Sequence, residues 1–176
     1  MPAARSTAVQ MLREWEKFHL YWLEEPVPRD DVAGYVRVRR IAQQLGVNIA
    51  GGEQLETVRE MQTFLEHDAL DILQPTPTFV GGITEMIRIA HLAERFSVPV
   101  APHGVQHVSL HLAAALPGML CVEVFQPDNP LREFALNLIE SPREAVEIHE
   151  GSLIPPTADG IGYRLNKELA DEFRVD

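Results

Sequence analysis

The sequence predicts an α/β fold built from consecutive βα units, and three observations carry that prediction. Short apolar runs alternate with segments of helical periodicity through residues 1–125. The apolar runs are hydrophobic throughout instead of alternating with polar residues, as strands are when a parallel sheet is covered on both faces. The connections between them are short enough for right-handed βα crossovers.

An amphipathic helix comes first, with Ala8, Met11, Leu12 and Trp15 at helical spacing. YWLEEP, residues 21–26, is a short strand stopped by Pro26. Residues 30–45 form a helix that Asp30 or Asp31 caps, with Val32, Tyr35, Val36, Val38 and Ile41 as its apolar positions. VNIAGGE (47–53) is the next strand, and residues 56–67 the next helix, with Val58, Met61, Phe64 and Leu65 on one face. LDILQP (70–75) is a strand, and Gly81-Gly82 opens a helix over 83–96. VPVAPH (98–103) is a strand, 107–116 a helix, and LCVEVF (120–125) the last strand. Residues 127–150 read as irregular, punctuated by Pro127, Pro130 and Pro142. From Gly151 the tail is rich in Pro and Gly before a short polar helix near 166–173. Five strands are too few to close an eight-stranded barrel. The pattern alone leaves an open doubly wound sheet beside part of a barrel. No strand end carries the G-x-G-x-x-G loop of a dinucleotide site.

Composition narrows the function. Among 176 residues, 45% are hydrophobic and 23% charged, ordinary for a globular domain. The net charge of −11, from 26 acidic and 15 Lys+Arg residues, excludes a nucleic-acid binder, which needs a basic face for phosphates, and suits a metal cation. Cys121 is the only cysteine, so no intrachain disulfide forms. No apolar run is long enough to span a membrane. With no secretory signal in the sequence, a cytoplasmic protein is expected.

In parallel βα architectures the C-terminal ends of the strands converge on the active site. Those ends carry Glu24-Glu25, Glu53, Pro75-Thr76, His103 and Glu123, so four of the five present an ionisable side chain. The set suits proton abstraction next to a carboxylate, where the enediolate needs electrostatic stabilisation. A hard cation such as Mg²⁺ held by carboxylates supplies it. Glu24 and Glu53, on neighbouring strands, could each give an oxygen, and His103 could move a proton near neutral pH. A rival site is a zinc ion on His107 and His111, one helical turn apart. That segment lacks the glutamate of H-E-x-x-H, and His111 reads better as a packed helix residue. His19, His67, His91 and His149 show no partner pattern and read as surface residues.

WLEEP (22–26), GGE (51–53), GGIT (81–84) and PH (102–103) resemble, in order and spacing, the C-terminal barrel of the mandelate racemase/muconate lactonizing branch of the enolase superfamily. Among its members the acid-sugar (galactonate-type) dehydratases look nearest. The resemblance implies a partial TIM-type (β/α) barrel of which this chain supplies strands four to eight. Residues 1–126 would be the barrel part, and 127–176 a C-terminal segment that in the family packs back toward the capping domain. It further implies Glu24 and Glu53 as Mg²⁺ ligands, His103 as the catalytic acid/base, and Glu123 as the acid that contacts the substrate carboxylate or enediolate. Glu25, Gln54, Thr76 and Gln106 would be supporting groups.

Two departures from the family pattern matter. Thr76 stands where the family pairs its histidine with an aspartate; a hydroxyl can orient the ring but brings no charge, so His103 is expected to act as an acid more than as a strong base. The sequence starts after the positions of the family's first metal aspartate, its lysines and its cap. The implied activity is therefore a lyase, the Mg²⁺-assisted dehydration of a sugar acid, with the 176-residue chain by itself expected to be silent. The alternatives are an inactive truncated fragment that associates through the unpaired edge of the 21–26 strand, and a racemase or cycloisomerase of the same superfamily. The expected partners are a small-molecule carboxylate and further copies in a homo-oligomer, with no nucleic acid and no membrane.

Overall fold

The computed structural model describes residues 2–125, 128–140 and 147–175. Helix α1, Pro2–Trp15, buries Ala8 and Leu12, one turn apart on a single face. A 3-10 turn over Glu16–Phe18 ends it, with His19 in the left-handed conformation. Strand β1 is Trp22–Glu24. Helix α2, Val32–Gln44, begins at Asp31, whose side chain accepts from Gly34 N at 3.0 Å. It buries Tyr35, Val38 and Ala42 at helical spacing. Strand β2 is Asn48–Gly51. Helix α3, Val58–Glu66, opens with a capping box: Thr57 Oγ1 accepts from Glu60 N, and the Glu60 carboxylate accepts from Thr57 N. Strand β3 is Ile72–Leu73, and helix α4 is Ile83–Arg95. Helix α5 is Gln106–Ala115.

The sheet is parallel and runs in chain order. Trp22 pairs with Asn48, Leu23 with Ile49 and Glu24 with Ala50; Ala50 then pairs with Ile72 and Gly51 with Leu73. Single parallel bridges continue it, Leu73 with Val100 and Val100 with Met119. Alternation along the strands sorts the side chains. Leu23, Ile49, Leu73 and Val100 face the helices, in the main core with Leu12, Tyr35, Val38, Met61, Met86 and Ile89. Trp22, Ala50, Ile72 and Ala101 face the other way and form a small apolar layer of their own. Strand order and this inner layer are those of a partial TIM-type barrel.

Three expectations need correcting. LCVEVF (120–125) is not a strand: pairing there is the bridge at Met119, with Leu120 N donating to Val100 O, and among the described residues no strand lies on its outer side to extend the ladder. The 98–103 segment forms a single parallel bridge to the sheet, Val100 with Leu73, in place of a full strand, although Leu73 N donates to Pro99 O, Ala101 N to Leu73 O and His103 N to Pro75 O beside it. Within 127–150, expected to be irregular, the described residues hold helix α6, Pro130–Asn137, and strand β4, Ile139–Glu140. Asn129 caps α6 through Leu131 N, and Pro130 occupies its first position, where a missing N–H costs nothing. Strand β4 pairs antiparallel with β5, Arg164–Leu165. The short polar helix is α7, Lys167–Glu172, capped by Asn166. Pro127 and Pro142 lie outside the described residues. No helix among those described is long and apolar enough to cross a membrane.

Candidate active site

The strand periodicity that builds the inner layer also builds the site. Two residues beyond Trp22, Ile72 and Ala101 in sequence stand Glu24, Gln74 and His103, at the C-terminal end of the same sheet. Glu24 Oε2 accepts from Gln74 Nε2 at 2.8 Å and from Trp22 Nε1 at 3.3 Å. Between them β2 ends at Gly51, and Gly52 follows it. A side chain at Gly51 would come within 3.1 Å of the Tyr35 hydroxyl. Gly52 has φ of +110°, which favours glycine.

His103 is the hub. Its Nε2 lies 3.1 Å from Glu53 Oε2 and 3.6 Å from Glu123 Oε2. Its Nδ1 lies 3.0 Å from Thr76 Oγ1, which is also 2.8 Å from the Glu53 carbonyl oxygen. A hydroxyl has one proton. The Glu53 carbonyl can only accept, so Thr76 donates there and accepts from His103 Nδ1–H. Any proton that His103 gives or takes therefore passes through Nε2, between the two carboxylates. The backbone fixes the rest: His103 N donates to Pro75 O at 3.1 Å, and Gly104 N donates to Glu123 Oε2 at 2.7 Å. Val105, a β-branched residue, is held at φ of +45° as α5 begins, a strained conformation that persists only where the surroundings impose it.

Glu25 sits behind this set at φ of +44°, its carboxylate accepting from Gly52 N at 3.2 Å and paired with the Tyr35 hydroxyl. Burial raises its pKa above the usual carboxylate value. The Gly52 bond opposes that, and the charges of Glu53 and Glu24 add to it. Burial, and next the charge of Glu25, push the Tyr35 phenol up as well.

The structure thus brings together Glu53, His103, Thr76 and Glu123, with Glu24 and Glu25 along the same rim. Gln54 is exposed and reaches none of them; its carbonyl accepts from Arg29. Gln106 is buried at the start of α5 with its Nε2 unpaired, beside Glu123 in a small cavity that Phe125 also lines. Sequence reasoning missed Gln74 and Tyr35. The strand-end rule would have found Gln74 had it admitted neutral amides. His107 and His111 both pack edge-on against Tyr163, with ring centroids 5.7 and 6.2 Å away, and His111 Nε2 donates to Ile161 O at 2.8 Å. The pair serves to dock the tail. Burial depresses the His107 pKa.

Glu24 and Glu53 offer hard carboxylate oxygens at adjacent strand ends, and the buried Gln74 amide oxygen beside Glu24 has no partner. That donor set fits Mg²⁺, which takes a few protein oxygens and keeps waters on its other positions. It falls short of a closed cage: no cluster of three or more His, Cys, Asp or Glu suited to a metal exists among the described residues.

Similar proteins share this arrangement of elements. The L-talarate/galactarate dehydratase of Salmonella typhimurium is 34% identical over 164 residues, covering 93% of this chain and 38% of that protein. The arabinonate dehydratase of Saccharolobus solfataricus is 32% identical over 174 residues, covering 95% and 43%. The crystal structure of L-talarate dehydratase from Polaromonas, complexed with Mg and L-glucarate, superposes with a TM-score of 0.81 at 35% identity, covering 95% of this chain and 43% of that one. The chain therefore spans about two-fifths of the length of these relatives. Residues 2–169 match the family described as Enolase C-terminal domain-like, and the chain belongs to it.

Proposed function

We propose that this chain carries the carboxylate and acid part of a Mg²⁺-dependent acid-sugar dehydratase. The observation that carries the reading is the convergence of Glu53 and Glu123 on His103 Nε2, with Nδ1 committed to Thr76. Glu24 and Glu53 would hold the cation. Bound there, Mg²⁺ would supply positive charge against the negative charge that develops on the substrate carboxylate as its α-proton passes to a base, a role this reading assigns to the part of the full-length enzyme that this chain does not cover. His103 then acts at the β-carbon. In its doubly protonated form the ring passes its Nε2 proton to the departing hydroxyl, the C–O bond breaks with its electron pair on that oxygen, water leaves, and the ring becomes neutral with its remaining proton on Nδ1 toward Thr76. Glu123, fixed by Gly104 N, keeps its other oxygen for a substrate hydroxyl or carboxyl group. The uncharged hydroxyl at Thr76 favours this acid role over racemisation, which asks the histidine to be a base. Names of relatives support the substrate class: the sugar acids in question are aldarates and aldonates such as talarate, galactarate, gluconate and arabinonate. Residues 1–126 are the catalytic layer in this reading, and 127–176 the segment that packs toward a cap.

The test is a chimaera in which this chain replaces the matching two-fifths of the Salmonella dehydratase. It is given aldarates and aldonates with Mg²⁺, and the 2-keto-3-deoxy acid is read by semicarbazide absorbance. Product that disappears in His103→Asn is the expected result. A folded, Mg²⁺-binding chimaera that makes no product would refute the reading.

A further inference from the structure

A carboxylate serves a cation well when it presents a free oxygen in a fixed direction. Two N–H donors converge on the same oxygen of Glu24: Gln74 Nε2 at 2.8 Å and Trp22 Nε1 at 3.3 Å, both on Oε2. Among the described residues no donor reaches Glu24 Oε1. Glu24 is exposed, and water alone would leave its side chain several rotamers.

Gln74 is otherwise an odd choice. It is 6% exposed, at the end of a strand whose neighbours are apolar, and its amide oxygen is buried without a partner. An unpaired buried acceptor destabilises a fold, and an apolar side chain of the same length would fill the space without that cost. Packing does not account for a glutamine at this position. A ligand that needs Glu24 held still does.

We infer that Gln74 is a positioning residue for a divalent cation, holding Glu24 by Oε2 so that its Oε1 is free, and adding an unpaired amide oxygen beside it. Trp22 assists from the longer distance. The inference rests on the cation reading above and goes beyond it: it assigns a role to a neutral residue on a third strand that is not itself one of the two carboxylates.

The experiment titrates the purified chain with Mn²⁺, a paramagnetic cation that accepts the same oxygen donors, followed by water-proton relaxation. Thermal unfolding without metal is measured in parallel. For Gln74→Met we expect Mn²⁺ affinity to fall by about 10–100-fold, while the metal-free Tm stays level or rises because the unpaired buried oxygen is gone. Trp22→Phe, which removes the indole N–H and keeps an aromatic ring on the inner layer, should weaken Mn²⁺ binding less. Mn²⁺ affinity in Gln74→Met within about twofold of the wild type, well below that expected loss, would overturn the inference. So would a drop in its metal-free Tm, which would make Gln74 a packing residue. A wild-type chain that takes up no Mn²⁺ would defeat the cation reading itself and the inference with it. The two failures are distinguishable, because one appears in the wild type and the other only in the variant.

Discussion

Thr76→Val tests whether the hydroxyl bridge to His103 exists. Valine keeps the shape of threonine, so no cavity opens, and only the oxygen is lost. Thr76 is 4% exposed, and its hydroxyl serves both the Glu53 carbonyl at 2.8 Å and His103 Nδ1 at 3.0 Å. A methyl group in that place leaves one acceptor and one donor without partners where water has little access. Each orphaned group costs ~1–3 kcal/mol. His103 keeps 25% of its side chain exposed and can turn to recover part of its share. The sum is then roughly 2–4 kcal/mol, or a fall in Tm of roughly 5–12 °C for a chain of this size. Urea unfolding followed by circular dichroism reads it directly: the midpoint should drop with an unchanged slope. Thr76→Ser, which keeps the hydroxyl, should recover most of the loss. If Thr76→Val is within about 0.5 kcal/mol of the wild type, the usual range for surface changes, the bridge is not there. Nitrogen-15 NMR gives a second reading, since Nδ1 of the neutral ring should carry the proton in the wild type and lose that preference in the variant.

Other positions give independent tests. Asp71 joins three elements, accepting from Arg39 Nε at 2.8 Å through one oxygen and from the buried Ile49 N at 2.9 Å through the other. Asp71→Ala leaves the Ile49 N–H without its partner, while Arg39 keeps its bond to Asp68 O, and should cost about 1–3 kcal/mol, measured by chemical denaturation. Thr57→Ala breaks the capping box of α3 and should cost about 1 kcal/mol by the same method. The folded-state pKa of Glu25 is raised, chiefly by burial, so the native state holds that proton more tightly than the unfolded chain does. Its contribution is full below the unfolded carboxylate value and is lost as pH rises through the folded one. Glu25→Gln should therefore raise Tm more at pH 8 than at pH 4, and a Tm-against-pH series that shows equal shifts at both ends would count against it.

Much of this architecture was legible because its signals are local. The helical spacing of Tyr35, Val38 and Ala42, the Asp31 cap, and the Gly-Gly turn ahead of Ile83 each lie within a few residues and need no partner. Helix α6 had a local signal as well, Asn129-Pro130, which reads as a cap and first turn once proline is allowed to start a helix as well as stop one. The last strand failed for the opposite reason. LCVEVF has strand composition, but a ladder needs a neighbour, and among the described residues Met119 has one only at Val100. The pairing of β4 with β5 joins residues too far apart in sequence for any local pattern to reveal. In the site, the strand-end rule picked out the residues that meet at His103. It missed Gln74, a neutral amide among charged strand ends, and Tyr35, a helix residue that reaches Glu25 through the fold.

The thinness of the sheet beyond β3 divides the site in two. Glu24 and Glu53 extend from the three-stranded ladder and His103 from a segment bonded to it at Leu73 and Pro75, whereas Glu123 follows a segment held to Val100 by one bridge and two backbone bonds, Val100 N to Gly118 O and Leu120 N to Val100 O, among the described residues. Segments held by so few bonds open as units at lower free energy than a ladder does. The amides of Val100 and Leu120 should then exchange with solvent ahead of Ile49 and Ala50. The Glu123 side of the pocket would come apart from the Glu24 and Glu53 side well before the chain unfolds, so on the proposed reading mild heat or denaturant would remove the substrate contact while leaving the carboxylates proposed to hold the cation in place.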